Sequence, residues 1–197
     1  MIYFPQKLNR RQKKSEQNGG MRSSPGKNKV IAFWLIPAKA EQELFSELIR
    51  ILAAQLDAPR FEAHLTICAV PDTRLAREAL GQISVPPIRL QVLRLHVSNR
   101  FTKTLFVRFR RKRALDDLNA SLRRTAQLPA GAVRDPHVSL LYKKMPMAAK
   151  RELASTIHLP LDEVAFDSMK AVCCDSPTES RADIEAWRVV ASKLLRD

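Results

Sequence analysis

Apolar residues in this chain come in short runs and helical stripes separated by polar breaks. Val30–Ile36 (VIAFWLI) is a continuous apolar run closed by Pro37, the pattern of a buried strand. In Ala38–Leu56, Leu44, Leu48 and Leu52 recur every fourth residue with Phe45 and Ile49 beside them, which predicts an amphipathic helix. Phe61–Val70 reads as a strand that stops at Pro71, and residues 74–83 as a short helix with Leu75, Ala79, Leu80 and Ile83 on one side. Ile88–Val97 and Lys103–Arg110 read as strands joined by a turn or loop at Ser98–Thr102. A helix over residues 112–127 has Leu115, Leu118 and Leu122 as its stripe, and Val138–Tyr142 reads as a strand. Residues 147–157 form a short helix with Pro146 near its first turn, and Val164–Val172 and Asp183–Val190 are the closing strands. Alternating elements of this length place the chain in the α/β or α+β class.

The order repeats. Residues 30–36 shifted by 73 fall on 103–109, and 88–97 shifted likewise fall on 161–170, so both halves read strand, helix, strand, helix, strand. Identity between the halves is negligible, so the duplication is one of pattern. An approximate two-fold axis between two such units would bring their middle strands to a shared groove.

Those middle strands carry the candidate chemistry. His64-Leu65-Thr66 and His137-Val138-Ser139, whose histidines are 73 apart, each place an imidazole two residues before a hydroxyl. Side chains at i and i+2 of a strand share a face, so each tripeptide offers both groups to one side. Two imidazoles suit acid and base work near neutral pH, and hydroxyls can bind phosphoryl oxygens. His96 and His158 lack a hydroxyl at that offset and read as structural.

Phe61-Glu62-Ala63-His64-Leu65-Thr66 and Pro136-His137-Val138-Ser139-Leu140-Leu141-Tyr142 resemble the two H-x-[ST] motifs of the 2H phosphoesterase superfamily, and within it the cyclic phosphodiesterase branch. Trp187 agrees with a tryptophan often found in that branch's last strand, and the resemblance covers roughly residues 30–194. It implies an α+β fold of two pseudo-symmetric lobes, with two largely antiparallel sheets around a central groove and helices outside. It also implies hydrolysis of 2′,3′-cyclic nucleotides or ADP-ribose 1″,2″-cyclic phosphate to phosphomonoesters, without metal or cofactor. His64 and His137 would be the catalytic acid and base, in either order, and Thr66, Ser139 and Tyr142 would bind phosphate. Tyr142 lies five residues after His137, an odd offset, so the strand must end, bulge or twist for it to reach the groove. Phe101 is a candidate for stacking on substrate, with Arg100 and Lys103 beside it as possible phosphate contacts; Trp187 reads as packing.

Charge adds a second reading. The formal net charge is +14, and residues 1–29 supply +7 of it from eight Lys and Arg against Glu16. That segment has no strand or helical period and is expected to be a disordered tail: a solvated tail without function, such as an extension upstream of a start at Met21, an RNA-tethering arm, or a cleaved targeting segment. Residues 30–197 are expected to form a single domain. The basic body suits an anionic substrate and keeps open an RNA-end 2′,3′-cyclic phosphodiesterase, or a non-catalytic nucleotide- or RNA-binding module. No apolar run approaches the roughly 20 residues of a membrane helix. Cys68, Cys173 and Cys174 have neither disulfide-framework nor zinc-ligand spacing, which suits a reducing, cytoplasmic setting; the protein is further expected to be a monomer without membrane contact. By strand alternation Cys68 shares the face of His64 and Thr66 and is expected to line the groove.

Overall fold

The computed structural model describes residues 27–196. Strand β1 (Asn28–Pro37) leads into α1 (Lys39–Leu56), β2 (Leu65–Pro71), α2 (Arg74–Ala79) and β3 (Ile88–Val97). The second unit is β4 (Leu105–Phe109), α3 (Arg113–Thr125), β5 (His137–Leu141), α4 (Met147–Thr156) and β6 (Glu163–Ser176). A five-residue helix, α5 (Arg181–Glu185), and β7 (Arg188–Leu194) follow. The doubled element order is therefore as the periodicity predicts.

All seven strands form one antiparallel sheet in the order β1-β2-β5-β4-β3-β6-β7, with β1 also paired to β6. Exchanging β1, β2 and β3 with β4, β5 and β6 leaves the pairings of those six strands unchanged. The β1–β2 pair maps to β4–β5 and β3–β4 to β6–β1, while β3–β6 and β2–β5 map to themselves. The sole β2–β5 register pair, Leu65 with Val138, relates residues 73 apart and so sits on the internal two-fold. The two units are interleaved in one sheet rather than forming two sheets. The 14-residue β6 causes this, since its start pairs with β3 and the rest with β1 and β7.

One face of the sheet holds the main core. Ile31, Phe33 and Leu35 of β1 pack there with Phe45, Leu48, Ile49 and Leu52 of α1, and Leu115, Leu118 and Leu122 of α3 join them. The alternate residues of β1, Ala32, Trp34 and Ile36, form a second buried cluster with Val172 and Cys174, and Val30 and Trp187 pack against it. Both faces of β1 are apolar, which is why its sequence shows no alternation.

Several boundaries differ from expectation, each for a local reason. Lys27 pairs with Asp183 at 2.5 Å and Lys29 with Asp175 at 2.8 Å, so the last cations assigned to the tail belong to the folded body. Residues 1–26, the rest of that expected tail, lie outside the described residues. The strand expected at Asp183–Val190 begins instead at Arg188. Ser180 accepts from the Asp183 amide while Asp183 accepts from the Ser180 amide, a capping box that starts α5. Phe61–His64 lies outside β2, and residues 101–103 form a 3₁₀ turn before β4.

Candidate active site

Each motif strand contains one extra residue. In β2, Cys68 pairs with Phe33 and Thr66 with Trp34, leaving Ile67 as a bulge. In β5, Leu141 pairs with Leu105 and Ser139 with Phe106, leaving Leu140. Ile67 and Leu140 are again 73 apart, so the two-fold relates the bulges. A bulge reverses the facing of every residue beyond it. Ile67 and Cys68 are therefore both buried in the main core, and Ala69 reaches the groove instead. The expectation for Cys68 fails on this ground; the groove cysteine is Cys174. The same reversal past Leu140 delivers Tyr142 to the groove, which resolves its odd offset.

The groove has a volume of about 380 Å³, and His64, Thr66, His137, Ser139 and Tyr142 all line it. Both imidazoles are held alike. His64 Nδ1 lies 2.6 Å from the Glu62 carbonyl and His137 Nδ1 lies 2.7 Å from the Asp135 carbonyl. A carbonyl oxygen can only accept, so each Nδ1 carries a proton and each neutral ring keeps its lone pair on Nε2. The acids at these positions are themselves anchored. Glu62 pairs with Lys170 at 2.5 Å, and Asp135 pairs with Lys103 and, at 3.0 Å, with Arg108.

Aromatic rings complete the setting. Trp34 stacks on His64 with centroids 3.7 Å apart, and Phe106, which pairs with Ser139 as Trp34 pairs with Thr66, meets His137 edge-on at 5.3 Å. Tyr142 stacks on Phe61 at 3.8 Å, and Trp187 sits edge-on to Trp34 at 5.1 Å. Burial in this apolar setting lowers His64 to about 4 and also lowers His137, for which Lys103 and Arg100 add repulsion and Asp135 opposes them. Both rings are thus neutral in the free protein at pH 7. Burial raises the Tyr142 phenol, so it is a hydrogen-bond donor at neutral pH.

The hydroxyls are not equivalent. Ser139 Oγ donates to the Thr102 carbonyl at 2.9 Å, whereas Thr66 is exposed. Thr104 fixes that turn: its Oγ1 lies 2.8 Å from the Lys143 carbonyl and 3.1 Å from the Lys143 amide. Lys150, a buried cation, donates to the Ser98 carbonyl at 2.8 Å and holds the preceding loop. Phe101 lies 6.1 Å from Tyr142, and the residue of its turn that lines the groove is Thr102. His96 stacks on Phe106, and His158 lines a different cavity, between α1 and the end of α4.

Sequence reasoning missed Trp34, Ala69 and Cys174–Thr178 at the end of β6 as groove residues, and placed Trp187 in packing although it lines the groove. Trp34 was hidden inside an unbroken apolar run, and Ala69 by a bulge that leaves no mark in residue type. Among the described residues, no group of three or more His, Cys, Asp and Glu side chains gathers as a metal site, and no helix is long and apolar enough to cross a membrane.

No protein-family model matches the chain, and no curated protein matches it in sequence. Solved structures do. LigT of E. coli in its apo form aligns with a TM-score of 0.53 and 17% identity over 87% of this chain and 99% of LigT. The same protein complexed with 3′-AMP gives 0.51 and 16% over the same shares. A further structure described as a phosphoesterase gives 0.50 and 16%, covering 87% of this chain and all of the other. With its seven-stranded antiparallel sheet and flanking helices, the chain has the fold of the LigT-like 2H phosphoesterases.

Proposed function

We propose that the protein is a 2H phosphoesterase that hydrolyses cyclic phosphodiesters, with 2′,3′-cyclic nucleotides or ADP-ribose 1″,2″-cyclic phosphate as substrates and phosphomonoesters as products. The observation that carries this reading is the matched pair of Nδ1–H···O=C hydrogen bonds, which leaves two Nε2 atoms for one groove. A neutral imidazole takes a proton from water as the water oxygen bonds to phosphorus. The imidazolium opposite gives its proton to the departing ring oxygen as the P–O bond breaks. His64 suits the base, because its deeper burial holds it neutral, and His137, with Asp135 beside it, suits the acid. Thr66, Ser139 and Tyr142 donate to the phosphoryl oxygens as charge develops, Ser139 by turning from the Thr102 carbonyl. No step in this scheme calls for a metal or cofactor.

One observation favours a second reading, the opening of cyclic phosphates on RNA ends. Residues 89–134 hold twelve Lys and Arg against two acids, and this stretch runs through β3, β4 and α3 to within three residues of His137. Such a field attracts a polyanion more than a mononucleotide.

The test is hydrolysis of 2′,3′-cyclic mononucleotides, ADP-ribose cyclic phosphate and cyclic-phosphate-terminated RNA, all with EDTA present. Turnover should survive chelation and fall at least about a hundredfold in His64→Ala and in His137→Ala, the scale of losing acid or base catalysis. Binding without turnover on every substrate would instead identify a non-catalytic binding module.

A further inference from the structure

The internal two-fold carries His64 to His137, Thr66 to Ser139 and Leu65 to Val138, and by the same offset it carries Ala69 to Tyr142. Here the symmetry of the groove breaks. On one side Tyr142 is buried and stacked on Phe61, and it fills its half with aromatic volume. On the other side Ala69 is exposed and offers only a methyl group. The groove therefore continues past Thr66 over Ala69, Ala32 and Val30, as far as Cys174–Thr178 at the end of β6.

We propose that this open arm receives the nucleobase of the substrate, and that the small size of Ala69 sets what can enter. Its floor is apolar: Val30, Ala32 and Ala69 give a surface on which a planar heterocycle can lie. Its wall is polar. Asp175, Ser176 and Thr178 line it, the Asp175 carboxylate is held by Lys29 at 2.8 Å, and Thr178 Oγ1 donates to the Asp175 carbonyl at 3.0 Å. A base edge can hydrogen-bond to such a wall, while inorganic phosphate has no use for it. Asp175 and Ser176 end the 14-residue β6 and Thr178 follows it, where the 10-residue β3 of the first unit has already stopped, so this wall is built by the longer strand. Substrate would then bind in a single direction although its catalytic groups are nearly symmetric. This proposal rests on the two-histidine phosphoesterase reading for the position of the phosphate.

Calorimetric titration of the full chain with a nucleoside 3′-monophosphate and with inorganic phosphate tests it. The unaltered protein should bind the nucleotide at least about tenfold more tightly than phosphate. Ala69→Trp should remove that margin and leave phosphate affinity within about twofold; Ala69→Leu should reduce the margin in part. A margin that persists in both variants, or is missing from the unaltered protein, overturns the subsite. So does equal loss of phosphate affinity, which would place Ala69 against the reacting group. An intact, Ala69-dependent margin with no hydrolysis of any cyclic phosphate would leave the subsite standing and sink only the catalytic reading.

Discussion

An imidazole is a useful base only when neutral and a useful acid only when charged, so the two histidines must titrate apart or act in a minor protonation state. Burial lowers both below the ordinary histidine value of 6.5, His64 to about 4. In free enzyme, activity should rise with pH through about 4 as His64 loses its proton. It should fall again as pH passes the lowered value of His137, because the acid is then spent. The profile of kcat/KM is thus expected to be a bell with both limbs below 6.5. The shape reports the pair and not which ring does which job. A bound anionic phosphodiester favours imidazolium, so the kcat profile should lie at higher pH than that of kcat/KM. An alkaline limb above 6.5 in kcat/KM would show that His137 is not depressed in the free protein.

At the scale of elements, the site is built from two bulges and one pinned turn. The bulges at Ile67 and Leu140 let two consecutive residues enter the core and return the third to the groove, which places Ala69 and Tyr142. The turn at 101–103 supplies the carbonyl that holds Ser139, and Thr104 ties it to the end of β5. Thr104→Val keeps the shape and removes that tie, leaving the half-buried Lys143 backbone groups without their partner. The expected cost is about 1–3 kcal/mol, read from the denaturant midpoint, with a lower kcat on cyclic phosphates as Ser139 loses its fixed acceptor. Unchanged kcat alongside reduced stability would confine the turn to a structural role.

The whole molecule is two units interleaved along one sheet, and Leu65 with Val138, both fully buried, is the pair on their internal two-fold. Leu65→Ala leaves a cavity on the internal two-fold and should cost about 2–5 kcal/mol, measured by urea unfolding. A change below 1 kcal/mol would mean the units close over the gap. Charge also belongs to this scale. Deleting residues 1–26 removes cations while leaving Lys27 and Lys29 in their ion pairs. RNA affinity should drop and its dependence on salt should flatten, with hydrolysis of cyclic mononucleotides kept within about twofold. Equal RNA affinity with and without the segment would leave any RNA binding to the basic stretch at 89–134.

What the residues determined alone was whatever repeats locally. The apolar runs and stripes marked every strand and helix but α5, with the closing strand set too early, the 73-residue echo set their doubled order, and the paired H-x-[ST] tripeptides named four groove residues. These are properties of period and spacing, which chain geometry makes visible one segment at a time. The tertiary structure alone decided what depends on partners. The shared β6 fused two expected sheets into one, and a skipped hydrogen-bond register moved Cys68 into the core and Ala69 and Tyr142 out of it. Trp34 came to lie on His64 because the two are neighbours only across strands. A bulge is a mismatch between two strands, and no single strand carries its signature.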